Sequence, residues 1–159
     1  MPHSIDQLLD VMARLRDPAG GCPWDIEQTL ASIVPHTIEE AYEVAEAIEL
    51  GDMAQIKDEL GDLLFQVVFY AQIGREAGHF DFQTIAQGIA EKMIRRHPHV
   101  FGGTEIDSAE AQLVAWEALK ADERQDKAEG HPPSALDGVS TTLPALTRAL
   151  KLQKRAARV

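Results

Sequence analysis

The amino-acid sequence predicts an all-α fold, an antiparallel bundle of helices. Apolar residues recur at helical spacing in nearly every segment. No segment alternates apolar and polar residues as a half-buried strand would, and the breaks between segments are short and carry glycine or proline. The 159 residues are enough for one domain with a hydrophobic core.

Start and stop signals divide the chain into helices in the following order. We expect helices at 4–16, around 25–28, from Pro35 or Thr37 to Leu50, from a cap at Asp52 to about 77, from a cap at Asp81 to the residues before Pro98, at 108–126, and from Leu143 or Pro144 onward. Asp25 with Gln28 is typical of a capping pair. The helix after Asp52 is apolar on nearly all sides from Leu60 to Ile73, which predicts that it is the central and most buried one.

A polar segment with two prolines predicts a linker at 127–143. It separates a helical domain at 1–126 from a C-terminal helix at 144–159. Because that helix has no stop signal, we expect it to lead toward a second domain.

Composition argues against several classes of protein. The net charge of −11 disfavours a protein that binds mainly nucleic acid or an anionic membrane. Cys22 is the one cysteine, so no internal disulfide can form, and with no visible signal peptide this favours a reducing compartment, the cytoplasm. The longest apolar stretch is too short and too polar to span a bilayer.

Five acidic residues lie on two consecutive predicted helices and form the strongest chemical signal. They are Glu39, Glu40 and Glu43 on the first helix and Glu59 and Asp62 on the second. Side chains three apart are neighbours on a helix surface, and the turn at Gly51-Asp52 makes the helices antiparallel. Two carboxylate pairs can therefore face each other, and they would repel without a cation. Ligation by oxygen alone suits Mg²⁺, with Mn²⁺ as an alternative.

A simpler interpretation of these acids is open. Acidic helix faces are commonly only solvated, and Thr37 with Glu40 has the pattern of a capping box. Asp62 favours the metal interpretation, because leucines flank it on a helix that is expected to be buried. A buried carboxylate without a partner is costly.

Basic and aromatic residues further along the chain are candidates for binding an anion. Lys92, Arg95 and Arg96 end one predicted helix, where they would bind phosphate or simply favour the helix C-terminus. Trp116 and Lys120 share a face of the next helix. They would stack on a base and hold phosphate or ribose, or the tryptophan would be a core or interface residue.

The acidic spacing, together with four further stretches, resembles the all-α nucleoside triphosphate pyrophosphohydrolases and, more closely, the MazG family. The stretches are GCPWD at 21–25, ELGDLLFQV at 59–67, RRHPHVF at 95–101 and WEALK at 116–120. The resemblance implies Mg²⁺-dependent hydrolysis of a nucleoside triphosphate to the monophosphate and pyrophosphate. It implies that Glu40, Glu43, Glu59 and Asp62 are metal ligands. It also implies that Glu39 orients or deprotonates the attacking water, or binds a further ion through water. It also favours a triphosphate contact for at least one of Lys92, Arg95 and Arg96.

Two other functions are compatible with the same residues. One is a non-catalytic dimerisation or nucleotide-binding module of a longer tandem-domain protein. The other is a narrow-specificity relative acting on dUTP, dCTP or phosphoribosyl-ATP, which the RRHPHVF and WEALK stretches disfavour.

A homodimer is expected on two grounds. The apolar surface of the helix after Asp52 exceeds what the other helices of one chain can cover, because the facing helix places Glu40 and Glu43 toward it. The family resemblance implies a dimer as well.

Overall fold

The structure is a computed structural model, and it describes residues 4–103, 106–126, 134 and 136–157. Every regular element in these ranges is a helix, so the predicted all-α fold is confirmed. The helices are α1 (Ser4–Leu15), α2 (Pro23–Glu27), α3 (Leu30–Leu50), α4 (Met53–Glu76), α5 (Phe82–Arg96), α6 (Pro98–Phe101), α7 (Ala109–Asp126) and α8 (Ala145–Ala156). None of the helices in the described ranges has the length and apolar character needed to cross a membrane.

The chain forms two compact units, which contain residues 1–92 and 93–159. Most of the first half of the predicted linker, 127–133 and 135, lies outside the described residues. The domain boundaries inferred from the sequence therefore stay a prediction.

The first unit is built on α4, which packs against α3 and α1. Its core is formed by Met12 of α1, Ile33 of α3, and Val68 and Phe69 of α4. The expectation that α4 is buried from Leu60 onward is wrong for its first half. Leu60 is 49% exposed, whereas Val68 is fully buried. The core cluster lies on the second half of α4, where Met12 of α1 packs with Val68 and Phe69.

The α3–α4 turn forms as its sequence predicts. Gly51 adopts a left-handed conformation with φ 71°, and its N–H donates to the carbonyl oxygen of Ala47 at 3.1 Å. Asp52 caps α4, because its Oδ1 accepts hydrogen bonds from the N–H groups of Ala54 at 2.9 Å and Gln55 at 3.2 Å. This turn makes α3 and α4 an antiparallel pair.

The predicted start of α3 at Pro35 or Thr37 is wrong. The helix begins at Leu30 behind a capping box formed by Thr29 and Ser32, and Pro35 lies inside it. Thr37 is mid-helix, where its hydroxyl donates to the carbonyl of Ile33 and lies 2.7 Å from the Tyr70 hydroxyl. Glu40 is therefore not a capping residue, and that interpretation of its carboxylate is excluded.

Two shorter elements also differ from prediction. Asp25 and Gln28 do not form the predicted N-terminal capping pair, because α2 begins at Pro23 with Cys22 as its N-cap and Gln28 is instead its C-cap. Pro98 does follow the end of α5, as expected. It then opens the single turn of α6 instead of leading directly into a loop, because proline is well suited to the first position of a helix.

A buried arginine links three segments of the first unit. The Arg16 side chain is 7% exposed and donates to both oxygens of Glu76, from Nε at 2.9 and 3.1 Å and from Nη2 at 2.7 Å. Its Nη1 donates to the backbone carbonyls of Asp25 and Gln28. Arg16 thus attaches the segment around α2 to the end of α4.

Candidate functional site

Three carboxylates converge where α3 faces α4. Glu40 and Glu43 of α3 and Glu59 of α4 each offer one oxygen, and these three oxygens lie within 4.8 Å of one another. All three side chains are partly buried. The three-residue spacing puts the first two on one face of α3, and the Gly51 turn brings Glu59 opposite them. We call these three residues the acidic cluster.

The carboxylates of the acidic cluster repel one another. Burial, followed by the charges of Asp62, Glu43 and Glu59, raises the pKa of the Glu40 carboxyl above its ordinary value. A cation between the carboxylates would relieve this repulsion. The donor set consists only of carboxylate oxygens, which fits Mg²⁺ or Mn²⁺.

Asp62 is a neighbour of the acidic cluster but is not one of its three residues. The three-residue spacing from Glu59 puts Asp62 on the same face of α4, and its charge is the largest charge effect on the pKa of the Glu40 carboxyl. The expectation that Asp62 is buried is wrong, because the first half of α4 leaves its outer side uncovered. Burial of Asp62 therefore gives no support to a metal site, and the convergence of the acidic cluster supports one instead.

Glu39 lies outside the acidic cluster. Its side chain is exposed, and its Oε2 is 3.9 Å from Nδ1 of His36. Its role toward an attacking water stays a prediction.

The basic residues predicted to bind an anion have different surroundings. Lys92 is partly buried on α5. Lys120 pairs with Glu117 at 3.3 Å. Arg95 and Arg96 both pair with Glu123 of α7, at 2.9 and 2.5 Å. The Lys120–Glu117 pair lies within α7, and the two pairs with Glu123 lie within the second unit.

Glu123 is not among the residues that the sequence predicted for this site. It lies three residues after Lys120 and seven after Trp116, so helical spacing already places the three side chains on one face of α7. An acidic residue on the same helix face as Trp116 and Lys120 could therefore have been predicted to pair with the two arginines.

Trp116 packs within the second unit against Arg96, the last residue of α5, and His97, the N-cap of α6. The Arg96 guanidinium lies 5.0 Å from the centre of the Trp116 ring, and the His97 ring is 5.1 Å away. The His97 Nδ1 is 2.7 Å from the Met93 carbonyl oxygen. Trp116 thus has a packing role, as one of the two interpretations expected, and base stacking by this residue stays a prediction.

The Glu123 contacts predict how stability depends on pH. Hydrogen bonds from Arg96 and Arg95 lower the pKa of Glu123 to about 2. Because an unfolded glutamate titrates at about 4.3, Glu123 stabilises the folded chain fully above that pH, and the contribution disappears as the pH falls toward 2. We expect Glu123→Gln to lower the melting temperature at pH 7, with a difference from wild type that shrinks between pH 4.3 and 2. Melting curves across this range test it, and a difference independent of pH would contradict it.

Comparisons with known proteins identify relatives of this chain. Residues 28–101 match the family model described as the MazG nucleotide pyrophosphohydrolase domain. A nucleoside triphosphate pyrophosphohydrolase of Escherichia coli (strain K12) is 53% identical over 157 residues, which are 99% of this chain and 59% of that protein. The nucleoside triphosphate pyrophosphohydrolase/pyrophosphatase MazG of Thermotoga maritima is 42% identical over 98% of this chain and 57% of its own length.

A solved structure is similar as well. The crystal structure of a mazG-related protein from Thermotoga maritima aligns with a TM-score of 0.60 and 28% identity, covering 73% of this chain and 98% of that one. The present chain spans about three fifths of the length of the two curated relatives named above.

Proposed function

Because the chain belongs to the MazG family, we propose that it hydrolyses nucleoside triphosphates to the nucleoside monophosphate and pyrophosphate. The observation that carries the proposal is the convergence of Glu40, Glu43 and Glu59 within the matched residues 28–101. The relatives that are named pyrophosphohydrolases support the same reaction.

We assign the acidic cluster to Mg²⁺, with Asp62 as a fourth ligand. Oxygen donors, partial burial and mutual repulsion all suit a hard divalent cation, and Mn²⁺ offers the same coordination chemistry. When bound, the ion would polarise phosphate oxygens and lower the pKa of a bound water.

The remaining site residues are assigned by their chemistry. Glu39, exposed on α3, accepts a proton from the attacking water or orients it, and attack falls on the α-phosphorus because pyrophosphate is the leaving group. Lys92, Arg95, Arg96 and Lys120 supply positive charge for the triphosphate, and Trp116 supplies an aromatic surface for the base.

Product analysis tests the proposed reaction. The protein is incubated with each nucleoside triphosphate and Mg²⁺, and pyrophosphate, monophosphate and orthophosphate are measured, with EDTA as the metal-free control. Release of pyrophosphate that EDTA abolishes supports the proposal. Nucleotide binding without product would favour a non-catalytic module, and orthophosphate alone would contradict the assigned reaction.

We also propose that the chain forms a homodimer in the cytoplasm and does not act on nucleic acid. Exposed apolar side chains follow one side of α3 and the first half of α4. They are Val34, Ile38, Tyr42, Leu60 and Leu64, each 41% to 61% exposed. A two-fold partner presenting the same stripe would cover them. Cys22, which has no second cysteine to pair with, suits a reducing compartment.

Charge placed in this stripe should separate the two copies. We expect light scattering to give twice 17.5 kDa for the wild type and a mass near 17.5 kDa for Val34→Glu, because a buried unpaired carboxylate is costly. Leu146→Glu, at a site 87% exposed on α8, is the control and should leave the mass unchanged. A monomeric wild type would contradict the dimer.

A further inference from the structure

A single carboxylate of α7 holds two consecutive arginines of α5. Glu123 Oε1 accepts hydrogen bonds from Arg95 Nη2 at 2.9 Å and from Arg96 Nε at 3.2 Å, and Oε2 accepts one from Arg96 Nη2 at 2.5 Å. Consecutive side chains leave a helix about 100° apart, and two guanidinium groups repel each other. The shared carboxylate therefore determines where both groups lie.

The two arginines differ in exposure and in their other contacts. The Arg96 side chain is 15% exposed, bonds both oxygens of Glu123 and lies against Trp116. The Arg95 side chain is 56% exposed, and its hydrogen bond to Glu123 uses one of its five N–H donors. Among the residues whose side chains the structure describes, no side-chain acceptor takes the other four. Arg96 is thus a partly buried support, and Arg95 presents donors to solvent.

The group of Arg95, Arg96 and Glu123 carries a net charge of +1 in a chain whose net charge is −11. A fixed guanidinium with free paired donors matches the geometry of a phosphate oxygen pair better than a mobile one, because less conformational entropy is lost on binding.

We propose that Glu123 is a positioning residue for the triphosphate. Together with Arg96 it holds the Arg95 guanidinium so that the exposed N–H donors form paired hydrogen bonds with a phosphate group. Arg95, and not Arg96, is then the phosphate contact of the two. The inference rests on the proposed function for the identity of the ligand.

The sign of one binding change separates positioning from plain electrostatics. Glu123→Gln removes a negative charge, so electrostatics alone predicts tighter binding of an anion, whereas loss of positioning predicts weaker binding. The probe is inorganic tripolyphosphate in Mg²⁺ buffer, measured by calorimetry well below the melting temperature. We expect Kd to rise about tenfold for Glu123→Gln. Glu110→Gln removes the same charge from an exposed site on the same helix, and its Kd should be unchanged or slightly lower.

Two further variants complete the test. Glu123→Asp keeps the charge but has a shorter side chain, and it should also weaken tripolyphosphate binding. If Glu123→Gln does not fold, this variant tests the positioning role in its place. Arg95→Lys keeps the charge without the paired donors. It should weaken binding about as much as Glu123→Gln, and the double variant should lose little more than either single one.

The outcomes for the inference and for the proposed reaction are distinct. The positioning role would be overturned, even in an active enzyme, if Glu123→Gln and Glu123→Asp bound tripolyphosphate as tightly as the wild type or more tightly. Additive losses of affinity in the double variant would overturn it as well. Weakened binding by these variants, in a wild type that binds tripolyphosphate and releases no pyrophosphate, would support the positioning role and overturn the reaction alone. In an active enzyme, Glu123→Gln should raise KM with a smaller change in kcat.

Discussion

Replacing Glu43 by glutamine is expected to abolish Mg²⁺-dependent release of pyrophosphate while leaving the helical fold intact. One carboxylate oxygen of Glu43 lies within 4.8 Å of an oxygen of Glu40 and of an oxygen of Glu59. An amide there keeps the shape of the side chain and removes a charged ligand. We expect a loss of at least about a hundredfold, since even residues that only support metal ligands can be worth that much. Asp62→Asn should change activity in the same direction.

The same substitution should stabilise the protein without metal. Burial, followed by the charges of Asp62, Glu43 and Glu59, raises the pKa of the Glu40 carboxyl, as expected where ionised carboxylates oppose one another in the folded state. Removing one charge relieves part of that repulsion. The melting temperature of Glu43→Gln in EDTA should therefore be higher than that of the wild type, and added Mg²⁺ should raise it less.

Glu46→Gln is the matched control for both measurements. Glu46 lies on α3 three residues after Glu43, is exposed and is not part of the acidic cluster. It should keep wild-type turnover and the wild-type response to Mg²⁺. If Glu43→Gln released pyrophosphate as fast as this control, the assignment of the acidic cluster to the metal would be wrong.

The acidic cluster could be predicted from sequence because its determinants are local. Glu40 and Glu43 share a face through helical spacing, and a glycine and a cap fix the turn that brings Glu59 opposite. The start of α3 was missed for an equally local reason. Pro35 usually signals the beginning of a helix, but within a longer helix it removes one backbone hydrogen bond that packing against α4 can offset.

Contacts between distant segments could not be predicted in this way. Arg16 meets Glu76 across 60 residues, and Arg96 meets Glu123 across 27. No periodicity relates such positions, because the pairing depends on how helices pack. The exposure of Leu60 has the same origin, since its surroundings depend on which helix covers that part of α4.

Replacing Arg16 by alanine should strongly destabilise the first unit. The Arg16 side chain is 7% exposed and donates to Glu76 and to the carbonyls of Asp25 and Gln28. Breaking a buried pair costs about 3–5 kcal/mol. Because the Glu76 side chain is 37% exposed and water can solvate it, we expect a loss near the low end, about 3 kcal/mol. Arg16→Lys keeps the charge and loses the fork that reaches several acceptors, so its loss should be smaller.

Denaturant unfolding at pH 7 measures these losses, with Arg14→Ala, at an exposed site on α1, as the control that should change stability little.

Hydrogen bonds from Arg16 lower the pKa of Glu76 below its ordinary value. This part of the stabilisation is therefore complete above the pKa of an unfolded glutamate and is lost as the pH falls through the lower, folded value. The difference in free energy of unfolding between wild type and Arg16→Ala should consequently become smaller in acid. The contribution of the two backbone carbonyls remains, because they do not titrate. If this difference stayed constant down to acidic pH, the stabilisation would be assigned to those carbonyls and not to Glu76.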